Sequence, residues 1–196
     1  MSGQRVMKHK IKKFRNNIFV AGPRVYGEQF MEPIIRKIRG LFESATDEND
    51  AKNGDDEFVE IKCSKVLLKT QKNKNNKTGL RGRIMSQDDN YVLNRLIPFD
   101  DCYKTKYLSN IQNVKRDHFS KLVYGMLFED CLKIFESDRE DISNIPRWSD
   151  KHGRFDELGK SGQFGITHNN IEWHLKNNLV ATLTWEDIYE MTEDIS

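Results

Sequence analysis

Asp47-Glu48-Asn49-Asp50-Ala51-Lys52-Asn53-Gly54-Asp55-Asp56-Glu57-Phe58-Val59-Glu60-Ile61-Lys62-Cys63-Ser64 is the stretch that decides the fold. It reads as a β-hairpin within a span of about 46–68, turning at Asn53-Gly54, a pair that tolerates the positive φ of a type I′ turn. Along the second strand Val59, Ile61 and Cys63 alternate with Glu60, Lys62 and Ser64. The first set is expected in a core and the second on the opposite face. A carboxylate and an ammonium two positions apart on one strand face can hold a divalent cation and steady a nucleophilic water, the minimum equipment for phosphodiester hydrolysis. Acid-x-Lys triplets alone are weak signals, since about two are expected from composition. Two occur, Asp50-Ala51-Lys52 and Glu60-Ile61-Lys62, and only the second lies in an apolar-backed strand. The plain alternative is a surface hairpin with a charged outer face.

The charges of the chain are segregated although the net charge is only +2. Six Lys or Arg and no acid fall in residues 1–15 (Arg5, Lys8, Lys10, Lys12, Lys13, Arg15), expected as a basic N-terminal arm over 1–17. Six more, again without an acid, fall in 69–83, among them Arg81 and Arg83. Residues 43–60 are acidic between them. Two basic blocks around an acidic cluster suit a protein that grips phosphates while holding cations at one point. The other reading of the blocks is solvated loops.

With 196 residues, 37% hydrophobic and 32% charged, the chain suits one soluble domain, 1–196, and no apolar run is long enough to span a bilayer. The N-terminus lacks the apolar stretch of a secretory signal. Cys63, Cys102 and Cys131 are too few and scattered for a disulfide framework, so an intracellular, cytoplasmic setting is expected.

Elsewhere, Phe30, Ile34, Ile38 and Phe42 predict a helix over 24–42 that starts or kinks at Pro33, with Glu28 and Glu32 four apart. Ser109 caps a predicted helix to about 120, carrying Ile111, Val114 and His118 on one side. Residues 121–128 and 131–135 read as two strands, against a single helix over 119–136. A long polar loop over 137–162, a short strand over 163–166, a helix from His168 to Asn178, a strand over 180–183 and a last helix capped at Thr184 complete the pattern.

Other chemistries find little support. There is no glycine-rich phosphate loop, no Cys-x-x-Cys and no recognisable Ser/His/Asp turn motif. His168 and His174 read as polar helix-surface residues, and His118 as half-buried. The tryptophans read as core, except Trp148, which sits in a polar loop beside Arg147.

The order helix, acidic hairpin, Glu60-Ile61-Lys62, later strands resembles the PD-(D/E)xK nucleases and, within them, a small type II restriction endonuclease. The resemblance covers about 24–136, and its specific part is Val59-Glu60-Ile61-Lys62-Cys63-Ser64. It implies an α/β (α+β) fold, a central mixed β-sheet flanked by helices, with the catalytic core at 24–136 and a recognition loop and C-terminal elements over 137–196. It implies Mg²⁺, for which Mn²⁺ can substitute, held by an upstream Asp and by Glu60, with the Ile61 carbonyl completing the shell. Lys62 would position the attacking water or stabilise the pentacoordinate phosphate. Glu28 would be the acid of the first helix, with Glu32 its rival. The upstream Asp stays open: a two-residue Asn53-Gly54 turn sets Asp47 opposite Glu60, and a longer turn favours Asp50, which is preferred. Gln112 and Lys115 would lie near the site.

Base reading is expected from the 149–163 loop, with Lys151, His152, Arg154 and Gln163, and from Arg81 and Arg83. The expected activity is sequence-specific cleavage of double-stranded DNA by a homodimer, in a prokaryotic or viral setting. The rivals are a repair or phage nuclease of the same fold without sequence specificity, a non-catalytic nucleic-acid-binding module, and a protein-interaction domain.

Overall fold

The computed structural model describes residues 3–23, 25–44, 50–55, 57–69, 89–151 and 161–193. Asp47, Arg81, Arg83, His152 and Arg154 lie outside them. The expected mixed sheet with helices around it is what the chain forms: six strands in the order β1-β2-β3-β6-β7-β9, with β3 and β6 parallel and every other pair antiparallel. These strands are β1 (Phe42–Glu43), β2 (Ala51–Lys52), β3 (Phe58–Lys65), β6 (Lys121–Leu127), β7 (Cys131–Asp138) and β9 (Leu179–Thr184). A smaller antiparallel sheet, β4 (Leu67–Leu68), β5 (Tyr107–Val114) and β8 (Gly162–Ile166), lies alongside. The helices are α1 (Gly3–Val20), α2 (Glu32–Arg39), α3 (Asp89–Leu93), α4 (Ile171–Asn177) and α5 (Trp185–Glu193).

Two hydrophobic cores form, one on each face of the large sheet. Strand pleating sends Val59 and Ile61 of β3 and Val123 and Leu127 of β6 to the helix side, against Ile18, Phe19, Ile34, Ile35 and Trp185. Leu122, Tyr124 and Met126 go to the other side, against Ile111, Phe164, Ile166 and Ile171. Cys63 packs on the first core, as expected of a small apolar residue. Gly125 makes room for it: a Cβ there would lie 3.0 Å from Cys63 Sγ.

The basic N-terminal segment, expected as an arm, is the helix α1. Ile11 and Ile18 are buried while Lys8, Lys10, Lys12 and Lys13 are exposed, because apolar residues recur at helical spacing among the cations. Lys65 of β3 donates to the carbonyls of Phe19 and Ala21 at 2.7 and 2.5 Å, taking up the free acceptors at the end of α1.

The first predicted helix is divided at Pro33. Val25–Met31 forms a π-helical turn and α2 begins at Glu32, since proline has no N–H to continue the ladder but is accepted in a first turn. Gly40, at φ 62°, ends α2.

The predicted helix from Ser109 is instead β5, followed by a 3₁₀ turn at Arg116–His118 in which His118 is exposed. Tyr107, Ser109 and Ile111 point inward in alternation. A bulge, with Asn113 at φ 58°, then returns Val114 to the same side.

β6 and β7 form as two strands rather than one helix, β7 running on to Asp138 before a 3₁₀ segment at Arg139–Asn144. Thr184 caps α5 reciprocally with Asp187, whose N–H donates to Thr184 Oγ1 at 3.2 Å. His174, expected on a helix surface, is fully buried and shares a 2.8 Å hydrogen bond with the Tyr124 hydroxyl. Burial pushes it down to about 4, so it is neutral near pH 7. Among the described residues no helix is long and apolar enough to cross a membrane.

Candidate active site

The hairpin register brings Asp50 beside Glu60. Ala51 pairs with Val59 and Lys52 with Phe58, so the turn spans 53–57 rather than the two residues of a type I′ turn. Asn53 organises this longer turn: its Oδ1 accepts the N–H groups of Asp55 and Glu57 at 3.0 and 2.9 Å. Its own N–H donates to the Glu57 carbonyl at 3.0 Å. The register therefore ends with Asp50 beside β3, one residue before β2.

There Asp50 Oδ2 accepts the Ile61 backbone N–H at 2.7 Å, standing in for the ladder partner that β2 is too short to supply. The same oxygen accepts from Lys62 Nζ at 3.1 Å. Lys62 Nζ also lies 2.5 Å from Glu60 Oε1 and 3.2 Å from the Ile61 carbonyl oxygen. Three oxygens from Asp50, Glu60 and Ile61 thus converge on one point, which the chain fills with its own ammonium.

Electrostatics follow from that crowding. Glu60 is 5% exposed, and burial raises its carboxyl pKa against the pull of Lys62. Burial draws Lys62 toward neutrality, but Glu60 and Asp50 outweigh it and hold the ammonium above the ordinary lysine range. Glu32 of α2 is pushed up to about 7, first by burial, then by repulsion from Asp50, with Lys62 opposing. Glu32 thus feels the cluster directly. Glu28 is exposed on the π-helical turn and acts on Glu32.

The remaining expected residues divide. Lys115, exposed just after β5, contributes positive potential at Glu60. Gln112 is exposed on β5, its Nε2 3.5 Å from Gln163 Oε1 on β8. Gln163 Nε2 donates to the Lys151 carbonyl at 3.0 Å, and Ser149 and Gln163 exchange backbone hydrogen bonds, so this end of the loop is pinned to β8. Two residues were given no role at the site from the sequence. Ser64, on the Glu60 and Lys62 face of β3, accepts the Asn110 N–H at 3.1 Å and joins the two sheets. Asn110 itself was hidden by the helical reading of its segment; the alternation of Tyr107, Ser109 and Ile111 was the signal that could have revealed it.

The fit of a divalent cation can be judged from the donors. Two carboxylates and a carbonyl are the hard oxygen ligands that Mg²⁺ takes, usually with water filling the rest of its shell. Among the described residues no group of three His, Cys, Asp or Glu is arranged to hold a metal by itself. The donor set therefore fits with the Ile61 carbonyl as its third member and with Lys62 displaced from the shared point. Neither a family model nor a curated protein matches the chain.

Proposed function

We propose that the chain is a Mg²⁺-dependent endonuclease that hydrolyses phosphodiester bonds of double-stranded DNA at a specific short sequence. The observation that carries this reading is the convergence of Asp50, Glu60 and the Ile61 carbonyl on one point beside Lys62. Asp50, Glu60 and the Ile61 carbonyl would hold the ion. When bound, it supplies positive charge to the scissile phosphate and lowers the pKa of a water. Lys62, beside that point, would position the attacking water or stabilise the negative charge that grows on phosphate in the transition state. Glu32, held partly protonated near neutrality, can accept or release a proton beside the cluster. The exposed lysines of α1 supply charge for the phosphate backbone. A two-fold homodimer matches a palindromic target.

The test is digestion of a long duplex with Mg²⁺ by wild type, Glu60→Ala and Lys62→Ala. Discrete bands from wild type and none from either variant are expected. A smear would favour a nuclease of the same fold without sequence specificity. Cutting by either variant at the wild-type rate rejects the assignment.

One observation favours a second reading, a nucleic-acid-binding module without catalysis: the Lys62 ammonium already satisfies both carboxylates. Calorimetric titration with Mg²⁺ or Mn²⁺ separates the two. Saturable uptake that is lost in Glu60→Ala supports the nuclease, and no uptake supports the module.

A further inference from the structure

The outer face of the β5–β8 ribbon carries two exposed side chains, Asn110 and Arg147, that make no hydrogen bond with a described residue. Asn110 and Gly165 are directly paired across the two strands. The position a Cβ would take on Gly165 lies 3.2 Å from Asn110 Oδ1 and 3.9 Å from Arg147 Cζ. The bare glycine thus lets an amide and a guanidinium gather over one spot.

Arg147 is put there at a cost. Its backbone is left-handed, φ 67°, a conformation that disfavours any residue with a Cβ. The next residue explains what holds it. The Trp148 ring fills the space over Gly162, where a Cβ would come within 2.1 Å of Cη2. Trp148 Nε1 donates to Asp150 Oδ1 at 2.7 Å, and the Ser149–Gln163 backbone pair ties the turn to β8. A wedged tryptophan and two glycines therefore serve one result, a guanidinium laid beside Asn110.

The ribbon is continuous with the candidate active site. Ser64, two residues after Lys62 on the same strand face, accepts the Asn110 N–H, and Lys115 at the far end of β5 bears on Glu60.

We propose that this face reads base edges in the major groove of duplex DNA, with Asn110 and Arg147 as the discriminating side chains. The inference rests on the nuclease reading above. A two-stranded ribbon fits the major groove. There an amide matches the N6/N7 edge of adenine, and a guanidinium matches O6/N7 of guanine, each as a two-point contact. Gln112 beside Asn110 on β5 extends the same chemistry along the ribbon. Gln163, whose amide already supports Lys151, keeps the ribbon and the loop together.

The experiment is selection of bound duplexes from a pool with a randomised core, in Ca²⁺ to hold the chain without turnover. It uses full-length wild type, Asn110→Ala, Arg147→Gly and Gly165→Ala. Arg147→Gly removes the guanidinium while suiting the left-handed backbone, so its fold is preserved. Wild type is expected to enrich one short motif. Asn110→Ala and Arg147→Gly should each lose roughly tenfold or more of the preference at one base, a different base for each. Gly165→Ala, which crowds the Asn110 amide, should weaken the same position as Asn110→Ala. Unchanged motifs in these variants, with Glu60-dependent cutting by wild type, overturn the ribbon and leave the nuclease standing. A uniform loss across all sequences, with a salt dependence lower by about one unit, marks a phosphate contact and overturns it too. A wild type that neither enriches nor cuts any duplex removes both readings.

Discussion

Asp50 Oδ2 accepts the Ile61 backbone N–H at 2.7 Å, so a carboxylate that shares Lys62 with Glu60 is also a structural part of the hairpin. One side chain replaces a missing rung of the sheet and brings negative charge to the point shared with Lys62. Its two roles can be separated by mutation. Asp50→Asn keeps an oxygen acceptor and loses the charge. It should melt close to wild type and lose Mg²⁺-dependent cleavage. Asp50→Ala leaves the Ile61 N–H without its acceptor and should cost about 1–3 kcal/mol in addition. Thermal melts of both variants beside a cleavage assay check this, and equal melting of the two would show that the N–H contact contributes nothing.

Glu32 makes stability depend on acidity. Burial pushes its carboxyl up from the ordinary 4.5 to about 7, so between those limits the folded chain binds more protons than the unfolded one. Its contribution therefore falls as pH rises from about 4.5 to about 7. Melting temperatures of wild type and Glu32→Gln across that range should converge toward low pH and separate toward neutrality, with the variant the more stable. A constant difference would mean that the carboxyl titrates normally.

Lys65 titrates in a higher window. Burial lowers it from the ordinary 10.5 to about 7, so between these values the unfolded chain binds more protons and stability rises with pH. Lys65→Met should remove that slope. It should also destabilise the chain, because the Phe19 and Ala21 carbonyls at the end of α1 lose their donor. Denaturant titrations at pH 7 and pH 10 measure both effects, and a slope that survives in the variant would assign it to another group.

Gly125 is held small by its neighbours. A methyl group there meets Cys63 Sγ at 3.0 Å and Leu132 Cδ1 at 3.2 Å, between the strands that carry the site and the core. Gly125→Ala should cost about 1–3 kcal/mol, the usual range for overpacking. The double variant Gly125→Ala/Cys63→Ala should recover part of it. A denaturant midpoint for the single variant equal to that of wild type would contradict this.

The cations of α1 carry a prediction about salt. Lys8, Lys12 and Lys13 are exposed and have no ion pair with a described residue. Replacing the three with Gln should weaken binding to duplex DNA and lower the slope of log K against log salt by up to about 3. Equal slopes for wild type and the triple variant would place the DNA elsewhere.

Short-range pattern made much of this molecule legible. Alternation through Val59–Ser64 placed Val59 and Ile61 in a core, because in a strand the side of each residue depends only on its neighbours. β6 and β7 were readable from their β-branched and aromatic content and α5 from its capping pattern at Thr184, signals that are also local. The segment after Ser109 was misread for a physical reason. Ile111 and Val114 are both buried three positions apart, as on a helix face, yet it is the bulge at Asn113 that turns Val114 inward. His174 looked like a surface residue because its partner, the Tyr124 hydroxyl, lies 50 positions away in the chain.

Local pattern was thus sufficient for the mixed strand-and-helix composition, the two-sided character of β3 and the pairing of Glu60 with Lys62 on one side of it. Proximity between distant segments was not contained in it. The choice of Asp50 depended on a turn that Asn53 lengthens to 53–57 and on the hydrogen bond to Ile61. The coupling of Glu32 to the cluster depended on α2 packing against the sheet, and the approach of Asn110 and Arg147 to one spot over Gly165 on a wedged Trp148. Each is a proximity selected by the summed packing of the whole chain, because register, burial and charge are shared between strands and cannot be assigned within one of them.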